Sequence, residues 1–399
     1  MTQDTRPANA RATVLGAMFL MATSAIGPGF ITQTTTFTAR LGAAFAFAIL
    51  VSTLVDAAVQ LNVWRVVGVS RLRAHELGNR VAPGAGWVLT VLVVVGGFIF
   101  NIANVAGAGL GMNAMFGLDA RIGGAISAVL AVALFCIKRA GAALDRVVVG
   151  LGFVMILLTA YVAVVSGPPV GDALRNAVLP DHIDFIVITT LIGGTVGGYI
   201  TYAGAHRLVD SGMTGPEHAA EVSRSSVLGI LVTALMRALL FLAVFGVVAA
   251  GVSLSTGNPT ATVFETAAGQ VGLRMFGVIL WAAAITSVIG AAYTSVSFMT
   301  SEATPTRRKT LITVAFIVLS AAVFLVAGTT PVTLLVFAGA FNGLILPIGF
   351  TVILWVAWRR RDLLGGYRYP TWLLVIGVLA WLVSLFLGYQ TIVEFLGKL

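Results

Sequence analysis

Apolar runs of about 20 residues recur from one end of this 399-residue chain to the other, each long enough to cross the hydrocarbon core of a bilayer. Inside lipid the backbone must satisfy its own hydrogen bonds, so such a run is a helix or a strand of a closed barrel. A barrel strand alternates polar and apolar residues; these runs are continuously apolar. The expected fold class is therefore all-α integral membrane. The chain is 58% hydrophobic and 10% charged, whereas a soluble domain carries roughly 25% charged residues. There is too little charge to coat a globule of this size.

The spacing predicts helices at 13–38, 43–64, 87–115, 122–137, 146–166, 185–206, 227–251, 272–299, 310–327, 332–358 and 371–395. A short tail, 1–12, precedes them and contains no cleavable signal. The longest connections, 65–86, 167–184 and 252–271, are too small for an extramembrane domain. The net charge of +9 does not indicate nucleic acid, because the cations are spread over short loops. Placing the N-terminus inside puts 18 of the 24 lysines and arginines in cytoplasmic segments, five outside, and Arg237 within the seventh helix. That bias orients the chain with the N-terminus cytoplasmic and the C-terminus extracytoplasmic in the cell (inner) membrane.

Two helices are interrupted at mid-membrane depth. The first contains Gly27-Pro28-Gly29 and the sixth Gly193-Gly194-Thr195-Val196-Gly197-Gly198. Pro28 cannot donate a backbone hydrogen bond, and glycine favours unwinding. Breaks at matching positions of two five-helix sets point to an inverted-repeat carrier with its site at the breaks. The repeats would be 13–166 and 185–358, with 371–395 as an extra helix. The other reading of these glycines is close helix packing.

The stretch Gly27-Pro28-Gly29-Phe30, followed by Leu41-Gly42, Ser52 and Gln60, resembles helices one and two of the NRAMP metal transporters. Gly194-Thr195-Val196 resembles the start of that family's sixth helix, Met112–Gly117 the end of its third, and Asn342–Pro347 its tenth, followed by a basic turn and Leu364-Gly365. The resemblance spans nearly the whole chain. It implies a LeuT-like 5+5 inverted repeat with helices 1 and 6 broken, and secondary active transport.

The departures bear on cargo. The family carries Asp-Pro-Gly-Asn in helix one, where Asp and Asn bind the metal; here these positions are Gly27 and Phe30. Its Met-Pro-His in helix six corresponds to Gly197, Gly198 and Tyr199, and its acidic pair on helix three to Asn101 and Asn104. A dehydrated divalent cation needs strong oxygen, nitrogen or sulfur ligands, so no metal site and no cofactor is expected. The replacement set for a substrate is Gly27, Gly29, Phe30, Gln33, Asn101, Asn104, Gly197, Gly198, Tyr199 and Tyr202, with Ser24 and Thr32 adding hydroxyls. The helix N-termini at both breaks suit a carboxylate. The expected cargo is a small polar organic solute or organic anion. One NRAMP-like branch that resembles this chain in Ala-Ile-Gly-Pro-Gly-Phe is associated with 5-oxoproline utilisation. The alternative is a divalent-metal carrier with retuned selectivity.

Asp56 lies midway along helix two. Two readings are open for it: a coupling site for H⁺ or Na⁺, or a structural partner of Arg237. His206, beside Arg207, reads as an interfacial residue. Tyrosines 199 and 202 in a membrane helix, and asparagines 101 and 104, could also serve packing alone. The four histidines (His75, His182, His206, His218) form no catalytic constellation, and no enzyme is expected. The single cysteine, Cys136, excludes an intrachain disulfide, and reads as a small packed apolar residue. Beyond lipid, a small solute and a coupling ion, no partner is implied. Reporter fusions at Met1 and Leu399 should report opposite faces of the membrane; both ends on one face would overturn the eleven-helix reading.

Overall fold

A computed structural model describes residues 26–137, 140–300 and 304–396. Fourteen α-helices account for most of them. In chain order these are α1 (Pro28–Leu41), α2 (Phe45–Ser70), α3 (Ala74–Val81), α4 (Ala85–Phe116), α5 (Ala120–Cys136), α6 (Ala140–Val165), α7 (Val170–Val178), α8 (Phe185–Thr195), α9 (Ile200–Asp210), α10 (Ala219–Ala249), α11 (Pro259–Met299), α12 (Thr306–Val326), α13 (Pro331–Arg359) and α14 (Thr371–Leu396). The expected first half of helix one, with Ser24, lies outside the described residues.

Eight helical stretches are long and apolar enough to cross a membrane, or nine if the bent pair Val149–Val165 and Val170–Val178 is one span. One of the eight, Pro28–Ser70, is 43 residues long and contains both α1 and α2. A 3-10 turn at Gly42–Ala44 interrupts it, with Gly42 at φ 54°. Phe30 of α1 and Asp56 of α2 both neighbour Arg237, so the chain has reversed between them. The apolar 17-residue α5 is a further, shorter helix among the described residues, and the protein is a multi-pass integral membrane protein.

The three longest connections each hold a short helix that the apolar pattern missed: α3, α7, and the segment of α11 before Gly269. Gly269 has φ 61° and kinks α11. That segment seals one end of the bundle. Asn258 donates to the carbonyl of Leu110 at 3.1 Å and to Asn113 at 3.2 Å. Thr260 donates to the Thr35 hydroxyl at 2.9 Å, and Phe264 stacks on Phe276 at 4.7 Å between centroids. Arg40 pairs with Asp184 at the same end. Cys136 is exposed rather than packed, because it ends α5 at the bundle surface.

Glycine sets the closest helix crossing. A Cβ on Gly193 of α8 would collide with the Gly339 carbonyl and lie 2.3–2.8 Å from Gly343. One on Gly343 would collide with the carbonyl of Thr189. The packing reading therefore holds for Gly193: the backbones of α8 and α13 touch. Gly343→Ala should destabilise by about 1–3 kcal/mol, the usual cost of overpacking. Gly150→Ala, with open space around its Cβ position, should be neutral or stabilising by about 0.5–1 kcal/mol. Thermal melts of the two purified variants in detergent check the contrast.

Candidate functional site

The sixth span stops being helical between Thr195 and Ile200. Val196 caps the C-terminus of α8, and Tyr199 caps the N-terminus of α9. Within the break, a Cβ on Gly197 would strike the Gly193 carbonyl, and one on Gly198 would strike Ile345. The neighbouring helix stabilises the loosened backbone, since the Gly198 amide donates to the Asn342 carbonyl of α13 at 3.0 Å. The Asn342 side chain donates onward to Gly96 of α4 at 3.2 Å. The glycine run thus does two jobs: Gly193 packs, whereas Gly197 and Gly198 permit the break.

At the first break, Ile26 and Gly27 are non-helical and α1 begins at Pro28. The third span, α4, is carved to seat the start of α1 and the sixth break. A Cβ on Gly107 would run into the Pro28 ring, and one on Gly97 would meet Tyr199 at 3.0 Å. These glycines lie about 15 Å apart along the axis at 1.5 Å per residue, and Asn101 and Asn104 fall between them in sequence.

A cavity of about 60 Å³ opens at the start of α9, lined by Phe100, Asn104, Tyr199, Ala203, Arg207 and Ser287 among others. By the volume one water needs, this is room for about four to six waters, the size of a single amino acid. Both amide atoms of Asn104 are buried without a partner. The Tyr199 ring lies 6.2 Å from that of Phe100. Arg207 supplies the charge, and no carboxylate, imidazole or thiol is among the lining residues. Farther along, a vestibule of about 800 Å³ is bordered by Arg71, Arg73, His75, Glu76 and Arg308. Burial, the larger cause, holds the His75 imidazole below its usual range; Glu76 opposes this and Arg73 adds to it.

The expected site residues divide by place. Asn104 and Tyr199 line the cavity. Asn101 instead donates to the Ser320 hydroxyl of α12 at 3.2 Å, a helix-to-helix bond. Gln33 donates to the Leu335 carbonyl at 2.9 Å and is wedged where Gly194 and Gly339 leave no room for a Cβ, so it ties α1 to α13. Gly29 has ordinary contacts with Gln33 and Leu335. Tyr202 is buried with its hydroxyl unpartnered and faces Gly349 of α13 rather than the cavity. Phe30 is covered by Arg237, whose guanidinium carbon sits 4.2 Å above its ring. His206 is buried, not interfacial: its ring packs 4.9 Å from Phe298. Sequence reading passed over Arg207 as an edge residue and Asn342 as a family marker. Their adjacency to the sixth break was the available signal.

The comparisons agree with this architecture. The natural resistance-associated macrophage protein-like (Nramp) family matches residues 18–394. An uncharacterized membrane protein of Bacillus subtilis, YcsG, is 50% identical over 95% of this chain and 94% of its own length. An uncharacterized membrane protein of Haemophilus influenzae is 51% identical over 97% and 98%. Among solved structures, a manganese transporter of Eremococcus coleocola in complex with an aromatic bis-isothiourea compound superposes with a TM-score of 0.70 at 18% identity, over 98% of this chain and 90% of that one. MhsT in complex with L-phenylalanine does so with a TM-score of 0.68 at 16% identity, over 96% and 98%. At those identities the likeness speaks for the LeuT-like fold alone. The chain belongs to the Nramp family and is a membrane transporter of that type, not an enzyme.

Proposed function

We propose that this transporter carries a small polar organic anion of the 5-oxoproline class by alternating access about its two helix breaks. The observation that carries the reading is Asn104: a buried, unpartnered primary amide in a cavity whose charged lining group is Arg207. A lactam presents N–H and C=O side by side, and a primary amide presents the complementary pair. A buried amide left unpaired is costly, so a solute that satisfies both atoms binds selectively. Arg207 gives a carboxylate a charge-assisted partner. The aromatic faces of Phe100 and Tyr199 suit a flat ring. The same fold holds L-phenylalanine in MhsT, so an amino-acid-sized cargo is compatible with it.

The remaining expected site residues take supporting roles in this reading. Gly27 and Gly29 leave the first break short of side chains, and Gly197 and Gly198 do so at the sixth. Gln33, Asn101, Tyr202 and Phe30 fix the helices around the cavity. The arginine-rich vestibule is its cytoplasmic exit under the positive-inside orientation in the inner membrane.

The test is uptake of labelled 5-oxoproline into proteoliposomes. Asn104→Ala should cut kcat/KM by about ten- to a hundredfold, since one unsatisfied buried hydrogen-bonding group is worth about 1–3 kcal/mol. Arg207→Gln should raise KM, and Ala203→Phe should abolish uptake by filling the cavity while leaving the melting temperature near wild type. Gly197→Leu is not a clean blocker, because its side chain would strike the Gly193 carbonyl. Calorimetry with Mn²⁺ should show no saturable micromolar site. Saturable Mn²⁺ or Mg²⁺ transport without 5-oxoproline transport would replace this reading with a metal carrier of retuned selectivity.

A further inference from the structure

Asp56 of α2 and Arg237 of α10 are the one carboxyl and the one guanidinium buried among the described residues, each 2% exposed. Arg237 donates to the Thr195 hydroxyl at 3.1 Å and lies over the Phe30 ring. Its Nε has no partner. Asp56 lies near enough to Arg237 to feel its charge, yet no ion pair joins them and the Asp56 Oδ1 has no partner. Two complementary buried groups thus sit side by side, each with an unused atom, without closing an ion pair.

Arg237 spends its guanidinium on neutral partners, the Thr195 hydroxyl and the Phe30 ring, and leaves the carboxyl without an ion pair. A carboxylate with a bare oxygen inside the bilayer is costly. A protonated Asp56 avoids that cost. The charged group facing it among the described residues is Arg237; Thr195 from α8 and Phe30 from α1 are neutral.

We propose that Asp56 is a proton-binding site and that Arg237 is its alternating partner. With the proton on Asp56, Arg237 is held by Thr195 and Phe30. When the proton leaves for water, the Asp56 carboxylate draws Arg237 into an ion pair, and the guanidinium lets go of Thr195 and Phe30. Thr195 ends α8 and Phe30 lies in the first turn of α1, so one proton governs a tie to both broken spans. The neighbouring guanidinium repels Na⁺, which also needs more oxygen ligands than this pocket offers. Coupling to cargo rests on the carrier reading above; proton binding by Asp56 does not.

Infrared spectroscopy of the purified protein in lipid at neutral pH tests the site directly. The carbonyl band of a buried protonated carboxylic acid should be present in wild type and absent in Asp56→Asn. Thr195→Val releases Arg237, so the band should vanish at the same pH as the ion pair closes, whereas Arg237→Gln should keep it to higher pH. In proteoliposomes an inward proton gradient should drive accumulation in wild type, and Asp56→Asn should lose accumulation but retain exchange. No such band in wild type, or one unmoved by both Thr195→Val and Arg237→Gln, overturns the proposal even if Asp56→Asn does not fold. Proton-driven accumulation by Asp56→Asn equal to wild type also overturns it. A band that behaves as expected in a protein that carries no 5-oxoproline keeps the proton site and removes only the cargo.

Discussion

A membrane span that stops being helical inside lipid must find partners for its backbone within the protein, and the rest of this structure is arranged around that need at Val196–Tyr199. The Gly198 amide finds the Asn342 carbonyl. That bond requires α8 and α13 to approach at backbone contact, which Gly193, Gly339 and Gly343 permit. Asn342 in turn fastens α4, and α4 has lost side chains at Gly97 and Gly107 to admit Tyr199 and Pro28. The cavity at Asn104 is the space left between these close approaches.

Polar groups in such an interior are of two kinds. Most are spent on structure: Asn101 on Ser320, Trp64 on the Thr201 carbonyl, Gln33 on Leu335. These bonds hold helices whose apolar surfaces gain nothing over lipid by packing together. Others are buried with unused atoms, among them both amide atoms of Asn104, Oδ1 of Asp56 and Nε of Arg237. Unpaired polar atoms are costly where water is absent. In the proposals above, a solute satisfies the first and a proton or a new partner the others.

Belonging to the Nramp family fixes the scaffold more firmly than the cargo. The positions that the resemblance matches to the family's Asp, Asn and Met ligands hold Gly27, Phe30 and Gly197, and the Phe30 ring is covered by Arg237. A cation beside the first break is poor company for a divalent metal ion.

The sequence by itself determined the all-helical membrane class, most of the helical passages and the location of the break in the sixth span. Lipid leaves the backbone almost no choice of secondary structure, and Pro28 and the glycine run are local causes of unwinding. It also flagged Asp56, Asn101 and Asn104 as polar groups in apolar surroundings. It did not separate Asn101 from Asn104, because two residues less than one turn apart carry the same local signal; only the helices packed against α4 gave the first a hydroxyl and left the second a cavity. The same holds for Tyr199 and Tyr202, where the fold turned one to the cavity and the other to Gly349. The short helices α3, α7 and the start of α11 escaped notice because amphipathic loop helices lack a continuous apolar run. The meeting of Asp56, Thr195, Arg237 and Phe30 joins four helices far apart in the chain. No spacing in the sequence encodes it, since burial and proximity across a bundle are properties of tertiary packing.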